Sequence, residues 1–448
     1  METVDAYLAR KKEELELLNS FLSDPLTIRF PKSVAEVIEQ KFHLAAALKA
    51  EHVLHDWALT ETAWTHSGRP RSGPFEFKYD YQRADLEVRG PSFYACENQL
   101  SRETVYTASG MAAISALLMA TAPVFSEADI VTMPNSYGET SELIDGHGKH
   151  LRRTELGNSL AEITNLRGSR PRILLLDSCA SAEAFGTILK CAQPRLDLIV
   201  FDTTCFSSGS GWVLRALKWA RGAAVPIVLL RSHTKLDSLG VEYGRLGSVV
   251  FTHCPHVSDA KQQFLQALLA ETRNAVRLFG GAALPAHFPP YVRAPAYRTL
   301  TDKRVAVMLR NNRRTTRHFS AALAGLYAEL HFVHGLYVTL APARTLDEQQ
   351  ARDVVAELCS DLGRRGLPLR HAGSFGFDFG AAEWSMDKVR DRYVVRIAVA
   401  DLPTSLWDEV IAAVAAWWKA HERRVRSSRR MSKSSATSVC NSAQPDCA

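Results

Sequence analysis

The pattern of hydrophobic and polar positions divides the chain into regions of different periodicity. Over residues 1–60, apolar side chains such as Val34, Val37 and Ile38 recur at helical spacing among many charged residues. This spacing predicts a set of amphipathic helices. Residues 66–94 are instead rich in Gly, Pro, Arg and aromatic residues. That composition indicates an extended arm or loop.

From about residue 104, short apolar runs alternate with helical stretches. The runs are VYTAS, DIVTMPN, RILLLDS, LDLIVFDTT, PIVLLRS and GSVVFTH. Continuous apolar strands separated by helices are typical of a buried, mostly parallel sheet. After residue 300 the pattern is that of a compact α+β unit. It predicts helices at 303–330, 346–364 and 403–424 and strands at 331–340, 367–376 and 392–400.

These differences predict an α/β protein made of four segments. The segments are an N-terminal helical arm (1–65), a large α/β domain (66–290), a small C-terminal α+β domain (291–424) and a disordered basic tail (425–448). The tail is rich in Ser, Arg and Lys and has almost no large apolar side chains, so it cannot bury a core of its own.

Composition narrows the class of protein. The 448 residues are 46% hydrophobic and 23% charged, a globular balance, and no apolar run is long enough to span a membrane. The net charge is +6, but residues 421–448 contribute +4 of it, so the body of the chain is nearly neutral. This distribution argues against a nucleic-acid-binding surface. The eight cysteines form no CxxC pair or zinc pattern, so we expect no metal site and a reduced cytoplasm.

The segment IVLLRSHTKLDSLG carries the most informative chemistry. An apolar strand delivers Ser232, His233, Thr234 and Lys235 at its end. A lysine that leaves a buried strand can attack an aldehyde, and neighbouring hydroxyls can bind phosphate. A lysine that simply points into water is the alternative. His233 either shapes the substrate side and acts as an acid or base, or packs beside the lysine.

Three other predicted strands also end in chemically suggestive residues. Ser109, Gly110 and Met111 lie where a strand meets a helix, and a helix N-terminus favours phosphate, although Ser109 also fits a plain cap. Asp202 ends LDLIVFD, where a carboxylate can pair with a protonated ring nitrogen or cap a turn. Tyr137, in PNSYGET, can stack on an aromatic cofactor or lie in an ordinary turn.

In this order, the segments resemble the fold-type I pyridoxal-phosphate enzymes, specifically the Cys/Met-metabolism family of the cystathionine γ-synthase and β-lyase type. The cofactor-side matches are SGMAAI (109–114) with the family's phosphate turn, YGET (137–140) with YGGT, FDTT (201–204) with DNT and SHTK (232–235) with SATK. The remaining matches are VVRIAVAD (394–401) with LRLSVGxE, GSFG (373–376) with SLGG and YQR (81–83) with YSR.

The resemblance implies a role for each matching residue. Lys235 would bond to the cofactor and move protons, Asp202 would pair with the pyridine nitrogen, and Tyr137 would lie over the ring. The implied cofactor-binding residues are Ser109, Gly110, Met111, Tyr137, Asp202, Thr204, Ser232, Thr234 and Lys235, together with Tyr81 and Arg83 reaching a neighbouring subunit. The implied substrate-binding residues are Arg396, Ser374 and His233, with Arg396 holding the α-carboxylate.

The implied protein is a pyridoxal 5′-phosphate-dependent lyase or transferase that acts on an amino acid through an external aldimine and a Cα carbanion. The resemblance favours γ- or β-elimination or replacement on a homoserine-, cystathionine- or S-adenosylmethionine-like donor, forming C–C or C–S bonds in specialised metabolism. It also implies a cytoplasmic homodimer or homotetramer with shared active sites and no nucleic-acid or membrane partner. The alternatives are an aminotransferase, decarboxylase or aldolase, or a non-enzymatic binding protein.

Several stretches depart from the family pattern. The family's GNPT and LEGG are absent, DSCASAEAF at 177–185 lacks the family's Asn-Pro, and RSHTK replaces HSATK. The N-terminal 60 residues have no counterpart in the family. The cofactor-binding residues are thus kept while the substrate-facing ones differ, which indicates a divergent member.

Overall fold

A computed structural model describes most of the chain. The described residues are 2–52, 71–79, 86–94, 102–134, 136–156, 169–180, 182–192, 194–241, 244–252, 256–279, 287–324, 328–329, 336–387 and 391–440. The helices are α1 (Val4–Asn19), α2 (Val34–His52), α3 (Gly110–Val124), α4 (Gly138–His147), α5 (Ala182–Ile188), α6 (Gly211–Gly222), α7 (Asp259–Leu278), α8 (Pro295–Ala322), α9 (Glu348–Arg364) and α10 (Thr404–Cys440).

The described strands form three sheets. The strands are β1 (Arg71–Ser72), β2 (Phe75–Tyr79), β3 (Leu86–Arg89), β4 (Arg102–Thr107), β5 (Ala128–Thr132), β6 (Leu151–Glu155), β7 (Arg172–Asp177), β8 (Leu198–Asp202), β9 (Ile227–Ser232), β10 (Gly247–Thr252), β11 (Ala328–Glu329), β12 (Tyr337–Leu340), β13 (Leu369–His371), β14 (Gly380–Asp387) and β15 (Arg392–Ala398).

The largest sheet has seven strands in the order β4-β10-β9-β8-β7-β5-β6. All its pairings are parallel except those of β10, which is antiparallel to both β9 and β4. Successive side chains of β8 point to opposite faces, as the pleat requires. Leu198 and Val200 pack in the core that α3 and α7 cover, and Ile199 and Phe201 pack in the core of α5 and α6. The apolar runs are therefore continuous because helices cover both faces.

The second sheet has five strands in the order β11-β12-β15-β14-β13. Its core also contains side chains from α9, α10 and the N-terminal α1. The strand predicted at 367–376 is only Leu369–His371, and β14 follows it as a strand that the sequence analysis did not predict. The reason is that β14, GAAEWSMD, mixes small and polar residues and has no clear period of its own.

Residues 71–89 contain a small antiparallel sheet, β1-β2-β3, where the sequence analysis predicted an extended arm or loop. Phe75 and Phe77 are buried and Glu76 lies between them, so the two-residue period of a strand was present in the sequence.

The predicted domain boundaries stay a prediction. The α10 backbone is helical to Cys440, past residue 424, where the disordered tail was expected to begin. The serine-rich composition of this stretch gives no physical account of the continuation. Within the described ranges, no helix has the length and apolarity needed to cross a bilayer.

Candidate active site

Several strands of the large sheet end at one edge. β5, β7 and β8 are linked to β9 by parallel pairings, and β4 shares their direction because it and β9 are both antiparallel to β10. Asp177, Asp202 and Ser232 are the last residues of β7, β8 and β9, and Ser109 follows β4 by two residues. Residues predicted from separate segments therefore meet at the carboxyl edge, where α/β folds bind ligands.

Small residues with hydrogen-bonding groups form a cradle at this edge. They are Ser109, Gly110, Thr204, Ser232 and Thr234. The Ser109 hydroxyl caps α3 by accepting a hydrogen bond from the backbone N–H of Ala112 at 3.0 Å. Gly110 lies so close to β9 that a Cβ atom there would be 2.8 Å from Ser232 Cβ. The Ser232 and Thr234 hydroxyls are 3.0 Å apart, and the Ser232 N–H donates to Thr204 Oγ1 at 3.0 Å.

Donors in this cradle suit an anion. The first N–H groups of α3, at Gly110 and Met111, have no acceptor within the helix, and the helix dipole adds positive potential there. A phosphate-sized ligand would thus find backbone N–H groups on one side and two hydroxyls on the other.

Lys235 begins a tight turn directly after β9. Its Nζ donates to Ser374 Oγ at 2.5 Å and lies 5.7 Å from the centre of the Phe375 ring. Gly376 has a φ of +92°, and a Cβ atom there would be 2.7 Å from the Lys235 carbonyl oxygen. The structure thus brings two residues predicted from distant segments, Lys235 and Ser374, into direct contact.

Asp177 and Asp202 form an acidic pair at the ends of β7 and β8, where they are paired in register. Burial, followed by the charge of Asp202, raises the pKa of Asp177 to about 7. Burial also raises the pKa of Asp202, against the hydrogen bonds that it accepts from Thr204. Among the described residues, no ion pair joins either carboxylate to a cationic side chain. The charge of the buried Arg231 and the hydrogen bonds from Thr204 offset the effect of burial on the pKa of Asp202 only in part.

Tyr137 precedes α4 and is tied to this pair. Its backbone N–H donates to Asp177 Oδ2 at 2.7 Å, and Asp177 Oδ1 accepts from the Cys179 N–H at 2.6 Å. Burial and then the charge of Glu139 raise the pKa of the Tyr137 phenol, so the phenol stays protonated at neutral pH. Asp177 therefore holds the tyrosine loop against the strand beside Asp202.

Arg396 lies on β15 opposite Glu383 of β14. Its Nε donates to Glu383 Oε1 at 2.6 Å, its Nη2 pairs with the same oxygen, and its guanidinium carbon lies 4.6 Å from the centre of the Tyr337 ring. Burial alone would lower the pKa of Arg396, but Tyr337 and Glu383 raise it. The predicted carboxylate-binding arginine thus already has an acidic partner.

His233 lies apart from these residues. It is 2% exposed; its Nδ1 lies 2.8 Å from Asp237 Oδ2, its Nε2 lies 2.8 Å from Ser248 Oγ, and its ring stacks on Phe93. Burial lowers the pKa of His233. The Ser–His–Asp order resembles that of a hydrolytic triad, but Ser248 and Asp237 are as buried as the ring. This placement favours the packed alternative for His233 and does not support its predicted substrate-binding role.

Some residues at the site were not predicted from the sequence. Asp177 could have been found, since it ends the apolar run RILLLD as Asp202 ends LDLIVFD. Glu383 had no such signal, because it lies in the strand that lacked a period. Cys179 and Cys205, both free thiols, follow the two aspartates with their Sγ atoms 3.4 Å apart. Tyr81 and Arg83 lie outside the described residues, so their predicted role stays a prediction.

Comparisons with known proteins bear on the fold. No family model and no curated protein matches the sequence. Among solved structures, cystathionine gamma synthase from Xanthomonas oryzae pv. oryzae in complex with cystathionine is 16% identical, with a TM-score of 0.51 over 71% of this chain and 82% of that chain. The same enzyme in complex with aminoacrylate and cysteine aligns over the same shares at 16% identity with a TM-score of 0.49.

The chain has a fold of the cystathionine gamma synthase kind. The predicted fold class, type I with a mostly parallel sheet in the large domain and a small α+β domain, is confirmed. At 16% identity the likeness concerns the fold alone. The function must therefore be argued from the site.

Proposed function

We propose that this chain is an enzyme that binds pyridoxal 5′-phosphate at the carboxyl edge of its large sheet. One observation carries the proposal: an anion cradle, a buried acidic pair without an ion-pair partner among the described residues and the Lys235–Ser374 contact lie at the same edge of this fold. Each part matches a different portion of one small molecule, which is why the set is more informative than its members.

The residues present fit that cofactor. Ser109, Gly110, Met111, Ser232 and Thr234 would hold its phosphate at the N-terminus of α3. A Cβ atom at position 110 would enter this cradle, 2.8 Å from Ser232 Cβ. The glycine therefore suits a ligand whose phosphate must lie close to the backbone.

The acidic pair fits the other end of the cofactor. Asp202 would pair with a protonated pyridine nitrogen, whose positive charge would offset the carboxylate that burial destabilises. Tyr137, fixed through its N–H on Asp177, would lie over the ring. Lys235, whose Nζ donates to Ser374 Oγ, would hold the aldehyde of the cofactor.

When bound, the cofactor would supply an electron sink for the negative charge that develops at the substrate Cα. Lys235 would take the proton from Cα and return one near Cβ. Ser374, 2.5 Å from Nζ, would orient the lysine between these positions. Arg396 would bind the substrate α-carboxylate, sharing its guanidinium with Glu383.

The substrate class that we propose is an amino acid with a leaving group at Cγ or Cβ, such as a homoserine-, cystathionine- or S-adenosylmethionine-like donor. Elimination or replacement would then break that bond and, in replacement, form a C–S or C–C bond. The structural neighbour with a TM-score of 0.51 is a cystathionine gamma synthase solved with cystathionine, which supports γ-chemistry as the first choice.

Reductive trapping tests the cofactor assignment. We expect the purified protein to develop a visible absorption band with pyridoxal 5′-phosphate and, after borohydride reduction and digestion, to carry the cofactor on the Lys235 peptide. Lys235→Ala should lose both signals. Lys303→Ala, a substitution of a half-exposed lysine on α8, is the matched control and should keep both. A wild-type protein with neither band nor adduct would refute the proposal.

A substrate screen tests the reaction. The holoenzyme would be incubated with O-acylhomoserines, cystathionine and S-adenosylmethionine, and the products identified by mass. Loss of the γ- or β-substituent supports the proposed chemistry. Amino transfer to a keto acid, release of CO2 or aldol cleavage would assign the aminotransferase, decarboxylase or aldolase alternative instead.

The proposal extends to a cytoplasmic homodimer or homotetramer with shared sites. Its support is the similarity of YQR at 81–83 to a motif that reaches the neighbouring subunit's phosphate. Subunits carrying Arg83→Ala and subunits carrying Lys235→Ala should each be inactive, and mixing them should restore one intact site per heterodimer. Absence of complementation in mixed dimers confirmed by mass would place Arg83 outside a shared site.

A further inference from the structure

A buried cluster of charges joins the N-terminal arm to the rest of the molecule. We call it the arm cluster; it consists of Arg10, Lys11, Glu14, Lys41, Arg304, Asp378 and Asp401, none of which is more than 6% exposed. Helices α1 and α2 supply four of these residues, α8 supplies Arg304, and the aspartates belong to the C-terminal part of the chain. Four cations face three carboxylates, with the partly buried Glu2 as a fourth.

Most contacts of the arm cluster connect the arm to the small domain. Arg10 binds Asp401 through two N–H groups, each at 2.8 Å, and Lys11 Nζ donates to Asp378 Oδ1 at 2.6 Å and to Asp401 Oδ2 at 2.5 Å. Arg304 donates to Asp378 at 2.6 Å and to the Gly376 carbonyl at 2.9 Å. These bonds explain how an arm without counterpart in the resembled family is held.

Lys41 differs from Lys11 in its third hydrogen-bond partner. Like Lys11, it pairs with Glu14 and Asp378, the latter at 2.7 Å. Its remaining hydrogen bond goes to the carbonyl oxygen of Leu239 at 2.8 Å. Leu239 lies four residues after Lys235, in the turn that carries the site lysine.

That turn has an unusual backbone. After a short 3₁₀ turn at Leu236–Ser238, Leu239 has a φ of 52° and Gly240 a φ of 80°. A left-handed conformation is unfavourable for a leucine and persists only where its surroundings impose it. A Cβ atom at Gly240 would lie 2.4 Å from Arg304 Nη2 and 2.7 Å from Asp378 Oδ2. The arm cluster therefore packs against the turn and bonds to its strained residue.

The same charges support the partner of the lysine. Asp378 and the Gly376 carbonyl, both bound by Arg304, follow Ser374 by four and two residues. Gly376 approaches the Lys235 carbonyl so closely that a Cβ atom there would be 2.7 Å away. The arm cluster therefore contacts both segments that make the Lys235–Ser374 contact, the turn after Lys235 and the residues after Ser374.

We propose that Lys41 is a positioning residue for Lys235: its ammonium holds the Leu239 carbonyl, so that the N-terminal arm fixes the turn that aims the site lysine at Ser374. The part concerning reactivity rests on the proposed function of Lys235. The part concerning the turn does not, because it is a statement about the backbone.

Lys11 provides a matched control for Lys41. Both ammonium groups are at most 2% exposed, and both bind Glu14 and Asp378, but only Lys41 contacts the lysine turn. Lys11→Met and Lys41→Met each remove one buried cation from the same two carboxylates. Because Lys11 also donates to Asp401, a purely stabilising role would make Lys11→Met at least as damaging as Lys41→Met.

Hydrogen exchange of the full-length, cofactor-free protein is the first measurement. We expect Lys41→Met to accelerate exchange in peptides covering 236–241 about tenfold relative to Lys11→Met, because a hydrogen bond to a charged donor is lost. The second measurement is the titration with pyridoxal 5′-phosphate and its visible band. Lys41→Met should weaken apparent cofactor affinity about tenfold and shift the pH dependence of the band, whereas Lys11→Met should leave both within about twofold.

A second pair of variants keeps the test valid if the single variants fold poorly. Lys41→Met/Glu14→Gln and Lys11→Met/Glu14→Gln each remove one cation and one carboxylate, so the charge balance of the cluster is kept. The same difference between the Lys41 and Lys11 members is expected. Equal effects in both members, or folding lost only in both Lys41 variants, would assign Lys41 to general stability and overturn the proposal. If Lys41→Met accelerates exchange at 236–241 relative to Lys11→Met but the wild type binds no cofactor, only the proposed function is contradicted.

Discussion

The candidate active site and the arm cluster both bury several ionisable groups, yet they treat charge in opposite ways. Burial raises the pKa of Asp177 to about 7 and also raises that of Asp202. In the arm cluster burial would act the same way, but nearby cations reverse it, and the pKa values of Asp378 and Asp401 fall below their usual range. Among the described residues, the acidic pair of the candidate site forms no ion pair, whereas each carboxylate of the arm cluster is paired with cations.

The difference distinguishes the candidate binding site from a structural cluster. Buried charges that find partners within the fold contribute to one fixed arrangement, and removing one partner is costly. Buried carboxylates that no cation pairs with cost stability when ionised, and either protonation or a cationic ligand relieves that cost. Perturbed pKa values alone would mark both regions, whereas the direction of the shift distinguishes them.

Removing a cation from the balanced region should have the largest effect. Arg304 contacts Glu14, Asp378 and the Gly376 carbonyl while only 2% exposed. Arg304→Met should lower the free energy of unfolding by about 3–5 kcal/mol, measured by chemical denaturation. Arg314→Met, on the same helix but with a half-exposed partner in Asp408, should cost less than about 1 kcal/mol. Similar losses in both variants would mean that the cluster is not specially balanced.

Neutralising a charge in the acidic pair should change the pH dependence of stability. The pKa of Asp177 is about 7 in the folded protein, above its usual 3.8, so the folded state binds the proton more tightly. Its contribution to stability is therefore lost as the pH rises from about 4 to about 7. Asp177→Asn should remove this slope, which amounts to on the order of 1–3 kcal/mol between pH 4 and pH 8, since one pKa unit is about 1.4 kcal/mol. Its stability relative to the wild type should therefore rise with pH, from a deficit at pH 4, because the amide can accept from only one of the Tyr137 and Cys179 N–H groups.

Thermal unfolding of the cofactor-free protein between pH 4 and pH 8 measures that slope. Asp129→Asn serves as the control, because Asp129 lies in the same sheet and already pairs with Arg152 at 2.8 Å. It should not stabilise the protein. A wild-type slope that survives in Asp177→Asn would show that the acidic pair is not its source.

A smaller effect is expected at the phosphate end of the crevice. A Cβ atom at Gly110 would be 2.8 Å from Ser232 Cβ, so Gly110→Ala should displace the two strand ends that form the cradle. Affinity for pyridoxal 5′-phosphate, followed by its absorption band, should fall about tenfold, in line with an overpacking cost of about 1–3 kcal/mol. Gly146→Ala, in α4 with nothing within 4 Å of the added atom, should leave affinity unchanged.

Of the two regions compared, the sequence predicted the candidate active site, together with the fold that positions it. Each motif residue at a strand end could be placed because parallel strands deliver their carboxyl ends to one edge, a property of topology that a pattern of apolar runs reveals. Asp202, Ser232 and Lys235 were predicted for that reason. Asp177 was not, although it carries the same strand-end signal.

The arm cluster could not be predicted in this way. Glu14, Lys41 and Asp378 come from separate parts of the sequence and look like ordinary charged positions. Their burial arises only when the two arm helices pack against α8 and the turn at Leu239. Glu383 was missed for a related reason, since its pairing with Arg396 is a cross-strand contact set by the register of β14 and β15.

Glu383 shares a property with each of the two regions, and its replacement should have the smallest effect. It balances Arg396, as in the arm cluster, but at the site where a substrate carboxylate is expected. Glu383→Gln removes the competing negative charge and keeps an acceptor for the guanidinium. Carboxylate ligands should therefore bind the holoenzyme a few-fold more tightly, a gain of less than about 1 kcal/mol because the pair is partly exposed. Weaker binding would instead mean that Glu383 orients Arg396 rather than competing for it, and Arg396→Lys, which loses the planar fork, should weaken binding in either case.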